Sequence, residues 1–233
     1  EVSMSFVSTD LQDGVCVLRL SHGKPNSISE PVSDELMAAL AEAEKSADAV
    51  VLLGQPGMFS GGFDLPTMAQ GPAAAAAMVK AGGRLLLSIY DHPKPIVVGC
   101  TGHAVAMGLF MVMAGDYRVG AAGTFKLLAN ETAIGMTLPT FGVELARARL
   151  SKRHFDRVIV QSELYDPEAA MGAGILDEVV PPDRVEPVAL EHAARLAQLK
   201  QPAFRNNKRQ AHRETVELIR STLDANIDAL MPS

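Results

Sequence analysis

The sequence predicts a layered α/β fold, on three observations. The runs Ala49–Leu53 and Ile96–Cys100 are short and wholly apolar, which suits parallel strands covered on both faces. Strand and helix patterns alternate up to Pro139, an order that implies right-handed crossovers between parallel strands. Beyond Pro139 the pattern is helical, interrupted by one extended piece at 175–180.

The elements follow in order. The turn signal Asp13-Gly14 makes Val15–Leu20 a strand, paired in a hairpin with residues near 5–8. Pro31 opens a run with apolar Val32, Leu36, Met37 and Leu40, which predicts an amphipathic helix to about Lys45 with Ser29 as its N-cap. Ala49–Leu53 comes next as a buried strand. A helix is expected over 73–90, where Val79, Leu85, Leu86 and Ile89 recur near helical spacing; Gly82-Gly83 weakens its middle, and Pro93 and Pro95 end it. Ile96–Cys100 is a strand, a helix rich in Ala, Met and Leu runs to Ala114, and 116–119 is a further strand. The later helices are expected over 143–150, 154–161, 167–172, 184–199 and 203–230. Such a block has few apolar partners of its own, so it is expected to pack on the core or on another subunit. The expected division is a core of residues 1–180 and a C-terminal helical region of 181–233.

Composition narrows the function classes. With 233 residues, 48% of them hydrophobic and 21% charged, the chain can bury one large core or two modest ones. A net charge of −6 argues against a nucleic-acid partner, because neutralising phosphates needs clustered Lys and Arg, and the one basic cluster, 205–213, is short. Cys16 and Cys100 lie in apolar, strand-like surroundings, which favours a reducing, cytoplasmic compartment. No apolar run reaches spanning length, and no basic segment followed by an apolar one opens the chain, so neither a membrane partner nor a signal peptide is expected. The six histidines have no partners at ligand spacing, so no metal is expected.

Two glycine-punctuated segments carry the chemical signal. In Met58-Phe59-Ser60-Gly61-Gly62-Phe63-Asp64-Leu65, adjacent glycines let backbone N–H groups face a ligand with no Cβ in the way; a tight turn is the alternative. In 99–108 a strand passes through a glycine-punctuated turn into a helix, whose free N–H groups and partial positive charge make an oxyanion site; ordinary strand–helix packing is the alternative. No GxGxxG, GxSxG or GxxxxGK[ST] occurs, which removes the usual signatures of dinucleotide, serine-hydrolase and P-loop sites.

FSGGFDL at 59–65, then GHAVAMG at 102–108 and GDYRV at 115–119, resemble the crotonase superfamily, the enoyl-CoA hydratase/isomerase family. KPNSIS at 24–29, PKPIVVGCTGHA at 93–104, NETAIGMTLP at 130–139 and DPEAAMGAGILDEVVP at 166–181 extend the likeness over nearly the whole chain. The resemblance implies a ClpP/crotonase fold of repeated ββα units with a C-terminal helical oligomerisation region, assembled as a homotrimer or a dimer of trimers. It implies an acyl-CoA thioester as ligand, with coenzyme A part of the substrate and no other cofactor. Its two oxyanion donors fall on the backbone N–H groups of Phe63 and Met107. Proton abstraction next to a thioester carbonyl builds negative charge on the oxygen, and each placed donor is worth roughly 3–4 kcal/mol in the transition state.

The resemblance also frames the acid/base chemistry. Hydratases of the family hold water between two glutamates; Phe110 occupies the position of the first, and Glu131 that of the second after a short insertion. Ala106 and Met107 replace glycines common there. NETAIGM and KPNSIS resemble the mitochondrial-type enoyl-CoA isomerases, which work with one glutamate. One carboxylate suffices to take a proton at C2 and return it at C4. Without its neighbours, Glu131 would read as a surface glutamate at a strand end. A hydratase with an unrecognised second acid and a non-catalytic binding scaffold are the rival readings.

Other contacts expected from the resemblance involve Lys24 and Pro25, Ser27, Gly61, Asp64, Leu65, Ala106, Phe110 and Lys208. Lys24 and Lys208 would meet the CoA phosphates, with a solvated lysine as the alternative for both. Asp64 either steadies the loop by accepting backbone N–H bonds or meets ligand. His103 reads as a hydrogen-bonded core histidine, and Met107, Met111 and Met113 as packing residues adaptable enough to shape an acyl tunnel.

Overall fold

In the computed structural model, which describes residues 5–231, four strand–strand–helix units follow one another. The first is β1 (Val7–Gln12), β2 (Val15–Leu20) and α1 (Glu30–Ser46). The second is β3 (Ala49–Leu53), β4 (Gly57–Ser60), a helical turn α2 (Leu65–Met68) and α3 (Pro72–Tyr90). The third is β5 (Ile96–Cys100), β6 (Gly102–Val105) and α4 (Met107–Ala114), and the fourth β7 (Tyr117–Ala121), β8 (Leu127–Leu128) and α5 (Thr140–Arg149). Helices α6 (Lys152–Ile159) and α7 (Pro167–Ala173), strand β9 (Glu178–Val180), and helices α8 (Val185–Ala197) and α9 (Gln201–Leu230) complete the chain. The repeated ββα units expected from the resemblance are thus present.

The units sort their strands into two sheets. A six-stranded sheet has the order β1-β2-β3-β5-β7-β9, antiparallel between β1 and β2 and parallel thereafter. The second strands of the later units form a separate parallel sheet, β4-β6-β8. The apolar runs are explained by burial on both faces: Val50, Leu52, Val98 and Cys100 point into the main core, while Ala49, Val51, Leu53 and Val97 point into a second core roofed by Val185, Val188, Ala189 and Ala193 of α8. Ser29 caps α1 as expected, its hydroxyl accepting from Val32 N at 3.4 Å.

One expectation needs physical correction, and another is met in one of its two forms. Gly82-Gly83 does not weaken α3, which runs unbroken, because a Cβ at Gly82 would overlap the Phe63 ring and one at Gly83 would lie 2.9 Å from Phe141 Cδ1. The C-terminal helices pack on their own chain: α8 lies on the large sheet, and α9 lies along α3 and α5 with Val216, Ile219, Leu223 and Ile227 buried. GDYRV proves architectural. Arg118 forks onto Asp177 at 2.7 and 2.8 Å, and Asp116 accepts from Ile96 N at 2.8 Å, tying β5, β7 and the approach to β9 together. Among the described residues no helix is long and apolar enough to cross a membrane.

Candidate active site

The small sheet positions the site. Its three strands are parallel and adjacent, so their C-terminal ends lie side by side at about 4.8 Å per strand. The loop leaving β4 carries Gly61, Gly62 and Phe63; the turn leaving β6 carries Ala106 and opens α4 at Met107; the segment leaving β8 carries Glu131. Two oxyanion candidates and one carboxylate therefore issue from three neighbouring strand ends.

Each free amide has a local cause. Ile28 pairs with Phe63 as a parallel bridge, in which Ile28 N donates to Gly62 O at 2.8 Å and Asp64 N to Ile28 O at 3.0 Å. Those two bonds flank Phe63 and turn its own N–H to the other side. Met107 is the first residue of α4, where the N–H has no intrahelical acceptor. Among the described residues neither N–H is engaged. The two segments touch: a Cβ on Gly62, at φ +97°, would lie 3.0 Å from Ala106 Cβ and 3.6 Å from Met107 N. Ala106 itself holds φ +50°, a strained value for a residue with a side chain, fixed by Ala106 N donating to Leu128 O at 2.9 Å.

The loop that carries Phe63 is braced from the KPNSIS segment. Gly61 N donates to Pro25 O at 2.7 Å. Asn26, fully buried at φ +50°, donates to Leu20 O at 3.0 Å and Phe59 O at 2.8 Å. The sequence reading gave Asn26 no role, although an asparagine tolerates the left-handed region and a buried one must be bonded. Ser27 is buried and braces the loop, its hydroxyl donating to Asp64 Oδ1 at 2.9 Å. Asp64 caps α2, accepting from Thr67 N at 3.0 Å. Burial pushes its carboxyl up, but hydrogen bonds from Thr67 and Ser27 outweigh this and hold it below the usual range. Lys24 and Pro25 are exposed beside this loop, and Leu65 is 72% exposed.

Glu131 stands apart. It is only 8% exposed, and its Oε2 is one of three buried side-chain polar atoms without a hydrogen-bond partner among the described residues. Burial raises its carboxyl from 4.5 to about 7, opposed only by a hydrogen bond to its own backbone. A carboxyl poised near neutrality in a dry place suits proton transfer. Phe110, one turn into α4, is buried with its ring against Gly142, where a Cβ would lie 3.0 Å from Phe110 Cζ.

Lys208 is corrected. It is buried on α9 and its ammonium donates to Asp116 Oδ2 at 2.7 Å, at the start rather than the end of the large-sheet strands. A charge so desolvated keeps its partner and is not offered to a phosphate. Beside the Glu131 segment runs a groove of about 530 Å³, lined by Met68, Ala75, Gly135, Met136, Leu230 and Met231 among others. Leu65, Ile134 and Met136, on the α2 and Glu131 segments that flank it, are exposed large apolar residues.

Residues 10–231 match the family described as Enoyl-CoA hydratase/isomerase. The chain belongs to the enoyl-CoA hydratase/isomerase family. A crystal structure of a member of this family from Pseudomonas syringae superposes with a TM-score of 0.94 at 41% identity, over 97% of this chain and 98% of that one. The human mitochondrial enoyl-CoA delta isomerase 1 is 29% identical over 95% of this chain and 75% of its own length. A probable enoyl-CoA hydratase of Mycobacterium tuberculosis, EchA17, is 30% identical over 81% of this chain and 74% of its own. Family membership and a crotonase superfamily fold are thereby established, and both isomerases and hydratases stand among the relatives.

Proposed function

We propose that this family member moves the double bond of 3-enoyl-CoA to give trans-2-enoyl-CoA, with Glu131 as the only acid/base. The carboxylate takes a proton from C2, and the electrons of that C–H bond pass toward the thioester oxygen, where the amides of Phe63 and Met107 receive the charge. The dienolate then takes the same proton back at C4, leaving the double bond between C2 and C3. No water enters the balance.

The observation that carries this reading is the unpaired, buried Oε2 of Glu131, with its carboxyl raised to about 7, on the strand end next to two unengaged amides. Phe110 stands where hydratases of the family present their other glutamate, and a phenyl ring activates no water. The groove with its apolar rim supports an alkyl tail leaving the reaction centre between the α2 and Glu131 segments. Lys24, exposed beside Pro25, is the cation that supports phosphate contact.

The test is Glu131→Gln assayed on a 3-enoyl-CoA, with binding of the unreactive saturated thioester measured alongside. Turnover should vanish while binding stays; full turnover in the variant rejects the assignment. The hydratase-named relatives favour a second reading, and water addition to crotonyl-CoA decides it, since that substrate is already conjugated. Brisk hydration by the wild-type protein would replace the isomerase reading.

A further inference from the structure

The segment between β8 and α5, residues 129–139, carries Glu131 and is otherwise weakly seated. Residues 132–137 are all exposed, so little apolar burial holds them. Its internal bonds, Ile134 N to Asn130 O at 3.1 Å, Gly135 N to Thr132 O at 3.1 Å and Met136 N to Glu131 O at 2.8 Å, shape the turn without fastening it to the body. Thr132 Oγ1 makes a long bond to Ile159 O of α6 at 3.3 Å, and the remaining fastening comes from other elements. Ala133 N donates to Ser162 Oγ at 3.2 Å, and Ser162 sits in the turn after α6 at φ +50°, a conformation that a residue with a side chain adopts at a cost. At the exit, Thr140 opens α5 behind Pro139, which offers no side-chain cap; Asn226 of α9 supplies one, its Oδ1 accepting from Thr140 N at 2.8 Å.

We propose that Ser162 and Asn226 are positioning residues that hold the Glu131 segment in place from two different elements. The proposal rests on the reading of Glu131 as acid/base. A carboxylate that moves a proton must lie about 2.6–3.2 Å, heavy atom to heavy atom, from C2 and C4 in turn, and a displacement of about 1 Å costs on the order of 100-fold in rate. Because Oε2 has no partner and the carboxyl's one hydrogen bond is to its own backbone, its aim follows the path of that backbone. Around the segment Glu163 pairs with Arg157 at 2.5 Å, Asp228 with Lys80 at 2.6 Å and Asp224 with Arg84 at 2.7 Å, while Lys152, Arg153 and Asp156 of α6 and Arg213, Glu214 and Glu217 of α9 make no ion pair among the described residues. Loosening the segment would admit water to the carboxyl.

The experiment compares Ser162→Gly, Asn226→Ala and Asn226→Asp. The glycine variant removes the hydroxyl and relieves the left-handed backbone, so it separates positioning from stability; the aspartate variant keeps an acceptor for Thr140 N. Two quantities are read: kcat and KM on a 3-enoyl-CoA, and the titration midpoint of the Glu131 carboxyl in the ligand-free protein by carbon-13 NMR, assigned with Glu131→Gln. Ser162→Gly should keep the wild-type thermal midpoint. It and Asn226→Ala should lower kcat by about tenfold or more with KM nearly unchanged, and move the carboxyl midpoint down from about 7 toward 4.5 as water reaches it. Asn226→Asp should restore kcat. Wild-type kcat and midpoint in Ser162→Gly and Asn226→Ala, or equal losses in both Asn226 variants, would overturn the proposal. The NMR midpoint reads positioning whatever the reaction, so an active Glu131→Gln would remove the functional reading alone and leave this one to be decided by the midpoint.

Discussion

Replacing Glu131 by Gln should change how stability depends on pH, and by an amount the structure sets. The carboxyl is raised from 4.5 to about 7 by burial. At about 1.36 kcal/mol per pKa unit, that difference corresponds to about 3 kcal/mol. Below pH 4.5 the group is protonated in both folded and unfolded states, and it contributes nothing to the pH dependence. Between 4.5 and 7 the unfolded chain has released a proton that the folded chain still holds. Fewer protons are then bound in the unfolded state, so stability falls as pH rises, and the loss is complete above the folded value. The variant has no such proton. Urea denaturation of both proteins at several pH values from 4 to 8 should show the wild type losing about 3 kcal/mol relative to Glu131→Gln, with the difference developing across that window. A constant offset from burying the amide cancels in this comparison. Over the same range kcat/KM of the wild type should rise with a midpoint near 7, since the free enzyme must present the carboxylate. Parallel stability curves, or activity already at its plateau at pH 5, would refute the reasoning.

Three further outcomes follow from the packing. Gly62→Ala would set a Cβ 3.0 Å from both Ala106 Cβ and Val105 O at φ +97°, so it should cost about 1–3 kcal/mol of stability in a urea titration and, by displacing one amide, about 100-fold in kcat/KM. Lys208→Ala should destabilise by about 3–5 kcal/mol in the same titration, because the largely covered Asp116 carboxylate is left without its counter-charge, while calorimetry should find the Kd for a saturated acyl-CoA unchanged; weakened thioester binding would return Lys208 to the ligand. Ala75→Phe should fill the groove beside the Glu131 segment, lowering kcat/KM for long-chain thioesters by about tenfold and leaving four-carbon ones alone, as a chain-length series of assays will read.

The large sheet was legible from the chain because strands buried on both faces must be wholly apolar, and Ala49–Leu53 and Ile96–Cys100 are. The small sheet was not. Its strands Gly57–Ser60, Gly102–Val105 and Leu127–Leu128 are too short for a periodic pattern, and two of them open on glycine, so they read as turns although they place the site. Resemblance pointed to Phe63, Met107 and Glu131 through local motifs. Asn226 meeting Thr140, Ser162 meeting Ala133 and Lys208 meeting Asp116 are pairings between distant parts of the chain, and no local spacing announces them. Gly82-Gly83 misled for a related reason: helix propensity ranks glycine as weak, whereas here the missing Cβ is room for Phe63 and Phe141.

Because the donors proposed at 63 and 107 are main-chain groups, a saturation library would show an inverted pattern of tolerance. Many side chains at Phe63 and Met107 would leave an N–H in place, and selection there would report mainly how each fits around Gly82. The neighbours with no side chain would be the intolerant ones, since Gly62 and Gly108 are crowded by Ala106 and Ser60. A reader of such a library who looked for invariant functional groups would find the site outlined by its smallest residues.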